Sequence, residues 1–220
     1  ELIKKNEKSN QKISRRDFIT TSSAAAAAFM IVPRYVLGGP GYTAPSDKIN
    51  IAAIGVGGKG RSDIAAVATE NIVALCDVDD VKIFDTIKRA GEWAEEKGLS
   101  ENPLAKAPRY KDFREMLDKQ KDIDAVTVST PDHFHAVAAI TAIKQGKHAF
   151  VQKPLTYSVD EAQKLSATAK KAGVVTQMGN QGHAGEGIRL IGEWLKDDAI
   201  GEVREVHCWT NRPIWDTGMN

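Results

Sequence analysis

The sequence predicts an α/β fold: a doubly wound, mostly parallel sheet, followed by the start of a smaller α+β unit. Three observations predict it. Apolar runs of strand length alternate with segments of helical spacing from Lys48 to Met178. Those runs are too evenly apolar for a sheet with one wet face, so helices must cover both sides. The first run also passes through a glycine-rich turn straight into a helical segment, as a parallel crossover requires.

Lys48-Ile-Asn-Ile-Ala-Ala-Ile54 is the first strand and Gly55-Val-Gly57-Gly-Lys-Gly60 the turn. A second run, Asn71-Ile-Val-Ala-Leu-Cys76, ends on Asp77. Asp79 to Lys97 has helical spacing, with Val81, Phe84, Ile87, Trp93 and Ala94 offered as the buried face. Glu101 to Arg109, with Pro103 and Pro108, reads as a loop, and Tyr110 to Lys119 as a short helix carrying Phe113, Met116 and Leu117. Ile123 to Ser129 is a strand halted by Pro131. His135 to Gly146 is an Ala-rich helix closed by its glycine. His148-Ala-Phe-Val-Gln152 is a strand running into Lys153-Pro154.

Ser158, with Glu161 three residues on, opens a helix through a capping box, and Gly173 closes it. Val174 to Met178 is a further strand and Gly185 to Leu195 a helix. Glu202 to Thr210 alternates like a strand with one solvated face. That last segment leaves the strand–helix rhythm. Residues 47–180 are therefore read as one sheet domain, and 181–220 as the opening of an incomplete second one.

The glycine turn sits between a strand and a helix, with Asp77 about 20 positions on. This is the arrangement of a dinucleotide-binding βαβ unit, the Rossmann fold. Gly55 permits the tight turn, Gly57 lets the backbone approach a pyrophosphate, and Gly60 lets the helix lie close to the strand. Free N–H groups at the helix start favour the phosphates. Asp77 would accept from the adenosine ribose hydroxyls. With Val78 after it and no arginine there, the carboxylate favours NAD over NADP. Arg61, just past Gly60, is a candidate to stack on adenine or to reach a phosphate.

Thr130-Pro131-Asp-His-Phe-His135, Gly146-Lys147-His148 and Gln152-Lys153-Pro154-Leu155 follow in order. Here the chain resembles the glucose–fructose oxidoreductase / inositol dehydrogenase (Gfo/Idh/MocA) family, from about Ile49 to Thr210. The resemblance implies that Lys153 sits beside the nicotinamide and assists proton transfer at a substrate hydroxyl. It also implies that Thr130 and Pro131 line the cofactor side, that His135 lines the cofactor or substrate side, and that Asn180 contacts cofactor or substrate. His133 and His183 have weaker cases. Gln152 stands where the family usually has Glu, which makes the usual ribose contact uncertain. An Asp/His pair that the family carries later in its chain is not matched before Asn220.

Lys153 also stands where the residues alone would put a functional side chain. Ligands of open α/β sheets bind outside the carboxyl ends of strands. Pro154 restricts Lys153 to an extended or turn conformation, which aims the side chain instead of starting a helix.

Charge is unevenly placed along the chain. Net charge is +1, yet residues 1–16 hold six basic side chains against two acidic ones, leaving the rest slightly acidic. Such a body offers no electrostatic case for nucleic acid. The head is more specific. Ser14-Arg15-Arg16-Asp17-Phe18-Ile19, a weakly apolar Thr20 to Val32 with five consecutive alanines, and Pro33 read as a twin-arginine export signal. The stretch is too short and too diluted by Ser and Thr to span a bilayer. Residues 1–38 are thus signal and linker, continued by a Gly/Pro-rich stretch to Ser46, and the twin-arginine machinery and periplasm are expected. Cys76 and Cys208 read as packed thiols, and no His, Cys or carboxylate cluster has metal-ligand spacing.

Three functions compete. The first is an NAD-dependent oxidoreductase acting on a sugar, glycoside or cyclitol hydroxyl. There Lys153 takes the hydroxyl proton while hydride passes to the nicotinamide. The second uses transient oxidation to run a glycosidase or lyase with no net consumption of cofactor. The third is a non-catalytic sugar or dinucleotide sensor. The full-length protein is expected to be a homo-oligomer. Export already folded, into a compartment without an NAD pool, implies a cofactor bound tightly enough to travel with the protein.

Overall fold

The computed structural model describes residues 43–209; the expected export signal, residues 1–38, lies outside them. Six strands form one sheet: β1 Asn50–Ile54, β2 Asn71–Cys76, β3 Arg109–Tyr110, β4 Ala125–Val128, β5 His148–Gln152 and β6 Thr176–Gly179. Their order is β3-β2-β1-β4-β5-β6, and every pairing is parallel. The chain starts mid-sheet, winds outward to β3, then returns to lay β4 beside β1. A crevice opens at that reversal, outside the carboxyl ends of β1 and β4.

The helices are α1 Lys59–Ala66, α2 Asp80–Glu96, α3 Phe113–Lys119, α4 His135–Lys144, α5 Val159–Ala172, the four-residue α6 Gln181–Ala184, and α7 Glu186–Lys196. Side-chain alternation along β1 divides the core in two. Ala52 and Ile54 face Met116, Leu117, Ala139, Ile143 and Leu165 of α3, α4 and α5. Ile51 and Ala53 face Ile64 of α1 and Ile83, Ala90 and Trp93 of α2. Both faces of the central strands are thus covered, which is why those strands read as apolar runs.

Local chemistry sets the helix ends. Asp79 accepts from the Val81 N–H to cap α2, and Asp112 accepts from the Arg114 N–H to cap α3. Ser158 and Glu161 form the expected capping box on α5, which ends on Gly173 at φ 68°.

Several sequence expectations shift. Val81 and Phe84 are 65% and 63% exposed; the buried stripe of α2 is Ile83, Thr86, Ala90, Trp93 and Ala94. Thr86 belongs inside because its hydroxyl donates to the Val56 carbonyl at 2.9 Å, a partner that periodicity does not reveal. The loop before α3 holds the two-residue edge strand β3, paired with Leu75 and Cys76. Gly201 to Trp209 is exposed and carries no strand. A strand needs a neighbour's backbone to satisfy its N–H and C=O groups, and none among the described residues pairs with it. Cys208 is exposed rather than packed, whereas Cys76 is buried.

On the α1 side, β4 to β6 are left partly open. A groove of about 430 Å³ runs there past Ile51, Ala125, Phe150 and Val175.

The turn–helix junction is where the packing is tightest. A Cβ on Gly60 would collide with the Gly55 carbonyl oxygen and meet Ser129 Cβ at 3.2 Å, whereas one on Gly91, inside α2, would meet nothing within 4 Å. Gly60→Ala is expected to destabilise the fold by about 3 kcal/mol. Gly91→Ala should be neutral or stabilise it by up to about 1 kcal/mol. Thermal melting of both variants checks the contrast, which disappears if the two melt alike.

Candidate functional site

The site grows from the backbone of the β1–α1 turn. Gly55 adopts φ 82°, and a Cβ there would lie 2.7 Å from the Ser129 carbonyl oxygen. Only glycine gives that left-handed turn room beneath β4. The Gly55 N–H donates to the Cys76 carbonyl at 2.8 Å, which ties the turn to β2. The Val56 N–H donates to Asp77 Oδ2 at 2.9 Å, and the Asp79 N–H donates to Asp77 Oδ1 at 3.0 Å. Backbone amides from two directions therefore aim the Asp77 carboxylate. Each of its oxygens keeps a further lone pair for an outside donor.

Asp77 lies on the wall of a cleft of about 610 Å³ with Gly55, Gly57, Thr130, Pro131 and His133. Thr130 contributes the one enclosed side-chain polar atom among the described residues that lacks a hydrogen-bond partner, its Oγ1. Such a group is seldom left unpaired in a finished interior. A turn with glycines at its close approaches, a carboxylate with lone pairs outward and an unpartnered hydroxyl suit a ligand rich in hydroxyls and phosphates.

Arg61 is not on the cleft wall. Its Nε donates to Thr86 Oγ1 at 3.2 Å, bracing α1 against α2. His135 is a correction: it does not line the cofactor or substrate side. The ring is 1% exposed, with Nδ1 2.6 Å from the Pro154 carbonyl oxygen and Nε2 2.8 Å from that of Thr130. It is a strut that holds the Thr130 loop against the Lys153–Pro154 turn.

Gln152 is likewise corrected as a surface for ribose. It is 4% exposed, and its Nε2 donates to both carboxylate oxygens of Asp63, at 3.0 and 2.9 Å. The Asp63 carboxylate also accepts from Ser129 Oγ at 2.8 Å and pairs with Lys59 Nζ at 2.8 Å. Sequence reasoning missed Asp63, because an acid one turn into a helix looks solvated until its depth is known.

Lys153 follows β5 directly and is exposed, with a cis bond to Pro154. Gln152 pairs with Gly179 in register, so Lys153 and the half-buried Asn180 leave the sheet side by side. His183 is exposed on α6. The cleft also gathers Lys111, Phe113 and Arg114 from beyond β3, which sequence reasoning passed over because β3 was not visible. No group of metal-ligating side chains is found among the described residues.

Fold and cleft together define a dinucleotide-binding α/β domain. The chain belongs to the Gfo/Idh/MocA oxidoreductase family, whose NAD-binding Rossmann-fold model matches residues 49–180. It is similar to a glycosyl hydrolase family 109 protein of Solibacter usitatus, 34% identical over 129 residues, or 57% of this chain and 28% of that one. A protein of the same description from Shewanella pealeana is 27% identical over 209 residues, or 87% of this chain and 44% of that one. The fold is that of scyllo-inositol dehydrogenase from Lactobacillus casei, crystallised with NAD(H) and scyllo-inositol. The TM-score is 0.55 at 22% identity, covering 70% of this chain and 43% of that one. The chain thus spans less than half the length of these relatives.

The cleft's one thiol is inert by its surroundings. Burial, with Asp77 adding to it, pushes Cys76 up to about 12. The raised value keeps the thiol protonated until strongly basic pH, and the thiolate is the nucleophile. A native-state thiol titration at about pH 8 should therefore label Cys208 and spare Cys76, which becomes reactive only in denaturant. Labelling of Cys76 in the folded protein would contradict this.

Proposed function

We propose that the whole protein is an NAD-dependent oxidoreductase acting at a secondary hydroxyl of a sugar, glycoside or cyclitol, with Lys153 as its acid/base group. The observation that carries this reading is where Lys153 stands. It leaves the carboxyl end of β5 beside Asn180, at the end of the sheet where the glycine turn and Asp77 form the dinucleotide cleft.

The turn around Gly55 and Gly57 and the start of α1 would receive the pyrophosphate. Asp77 would accept from the adenosine ribose, and Thr130 Oγ1 would find its missing partner. Bound NAD supplies a hydride acceptor. The chain supplies the proton path: Lys153, as the free amine, accepts the substrate hydroxyl proton as the carbon loses hydride, and returns it in the reverse direction. Asn180 would contact cofactor or a substrate oxygen next to Lys153.

A second reading is favoured by the relatives described as glycosyl hydrolase family 109 proteins. The same proton and hydride steps would then run forward and back within one cycle, with glycoside cleavage between them. We also propose that residues 1–38, with Arg15 and Arg16, direct export by the twin-arginine route to the periplasm, that the nicotinamide is retained through it, and that the full-length protein is a homo-oligomer.

Full-length protein given cyclitols, sugars and aryl glycosides separates the readings. Net growth of the reduced-nicotinamide absorbance marks the first. Glycoside hydrolysis without such growth marks the second. In either case Lys153→Met should lower turnover by at least about a hundredfold while NAD binding is retained. A Lys153→Met protein that turns over normally removes Lys153 from the chemistry. Recovery of nicotinamide-free periplasmic protein, active only with added NAD, refutes retention.

A further inference from the structure

Asp63 is a carboxylate held inside the molecule, 7% exposed, one turn into the helix that follows the glycine turn. Donors from three elements converge on it: Lys59 on α1 itself, the Ser129 hydroxyl at the end of β4 and the Gln152 amide at the end of β5. Lys59 is the charged group paired with it among the described residues.

An ionised carboxylate only accepts hydrogen bonds. Asp63 therefore dictates which way the Gln152 amide faces, with nitrogen toward the carboxylate and oxygen away from it. That oxygen accepts the backbone N–H of Lys153 at 3.2 Å. Gln152 has no freedom to swing aside, because it packs against Gly179 so closely that a Cβ there would lie 2.8 Å from its Nε2. Orientation thus passes from the dinucleotide-binding helix, through one enclosed amide, to the backbone of the lysine at the site.

We propose that Asp63 is a positioning residue for Lys153: by fixing the Gln152 amide it sets the Lys153 backbone, and so couples the cofactor cradle to the acid/base group. The functional consequence rests on the reading of Lys153 given above. The coupling itself does not, and is measured without a substrate.

Exchanging the chemical partners tests it. In Asp63→Asn, position 63 offers an NH₂ of its own. Gln152 must turn its oxygen toward it and its nitrogen toward the Lys153 N–H, leaving that N–H facing a donor. In Gln152→Glu, two carboxylates face each other, and like charges this close do not both ionise cheaply. When protonated, the carboxyl that Gln152→Glu introduces donates and accepts as the native amide does. It is held protonated to higher pH in the folded chain than in the unfolded one, so the loss of stability is small in acid and grows as pH rises. The double variant Asp63→Asn/Gln152→Glu swaps donor and acceptor between the two positions: the amide at 63 donates to the carboxylate at 152, whose other oxygen accepts the Lys153 N–H, while the ion pair with Lys59 is given up.

The readouts are the backbone amide signal of Lys153 in ¹⁵N-lysine-labelled full-length protein, assigned by its disappearance in Lys153→Arg, and thermal melting between about pH 4.5 and about pH 7.5. Asp63→Asn should move the Lys153 amide proton upfield, and the double variant should return it. Gln152→Glu should melt roughly 5 °C below the parent at the higher pH and close to it at the lower, a pH dependence absent from the double variant. If Asp63→Asn alone does not fold, a folded double variant with the parent's Lys153 signal supports the proposal. A Lys153 signal unmoved in Asp63→Asn overturns it, since a purely structural Asp63 would change melting alone. So does a double variant that is no closer to the parent than Asp63→Asn, or that does not fold. Lys153→Met with normal turnover would sink the acid/base reading and leave this coupling standing.

Discussion

Everything at the carboxyl end of the sheet depends on one close backbone approach. The Gly55–Gly60 turn lies directly on the end of β4, where Ser129 donates its N–H to the Ile54 carbonyl at 2.8 Å. A side chain at Gly55 would enter the Ser129 carbonyl, and one at Gly60 would enter the Gly55 carbonyl. Because neither exists, α1 starts low on the sheet, close to β4. The crevice that strand order alone would leave between β1 and β4 becomes a shaped wall of peptide groups. Side chains far apart in sequence are brought together by the same approach: Asp63 reaches Ser129 and Gln152 only because its helix begins so near the strand ends.

Two carboxylates flank this junction and have opposite roles, set by surroundings rather than residue type. Asp77 is half-buried; its two oxygens are aimed by the Val56 and Asp79 amides and keep capacity facing the cleft. Asp63 is enclosed, and its oxygens are engaged by Gln152, Ser129 and Lys59. A carboxylate with outward lone pairs recognises a ligand. One saturated from within orients its donors instead. His135 belongs to the second kind, since its ring nitrogens face two backbone carbonyls and leave nothing for a ligand.

Most strand positions, the turn and most helix ends were legible because each rests on local chemistry. An apolar run bounded by Gly or Pro, a Ser158–Glu161 cap and a left-handed Gly173 all act within a few residues. What was not legible depended on long-range partners. Thr86 became a core residue through a carbonyl 30 positions away, which displaced Val81 and Phe84 to solvent. Gln152 turned inward because of Asp63, 89 positions distant. Strand β3 has only two residues, too few for any alternation to register, yet it brought Lys111, Phe113 and Arg114 to the cleft. Among the site candidates, Gly55, Gly57, Asp77, Thr130 and Pro131 fall on the cleft wall, because the rule that placed them is a rule about strand ends. His135 and Gln152 come from the same strand-end loops but point into the molecule, and side-chain direction is what a motif does not encode.

This division bears on how the two proposed reactions, oxidation and glycoside cleavage, could share one domain. The steps assigned to Lys153 and the nicotinamide, a proton leaving a hydroxyl oxygen and a hydride leaving the carbon that bears it, are common to both proposed reactions. Nothing in the cleft needs to differ between them. The outcome turns on whether a leaving group stands β to the new carbonyl, one carbon beyond the C–H that the oxidation acidifies, and whether the reduced cofactor stays long enough to give its hydride back. The first is a matter of substrate contacts beyond the sheet. The second is a matter of cofactor retention, and so of the turn, Asp77 and Thr130. A protein exported already folded, away from an NAD pool, gains from slow cofactor release under either chemistry, but only the internally recycled reaction proceeds without a second substrate. If the cofactor is retained through export as proposed, tight holding at the glycine turn would favour a cycle that closes on itself, which is the chemistry the glycosidase reading requires.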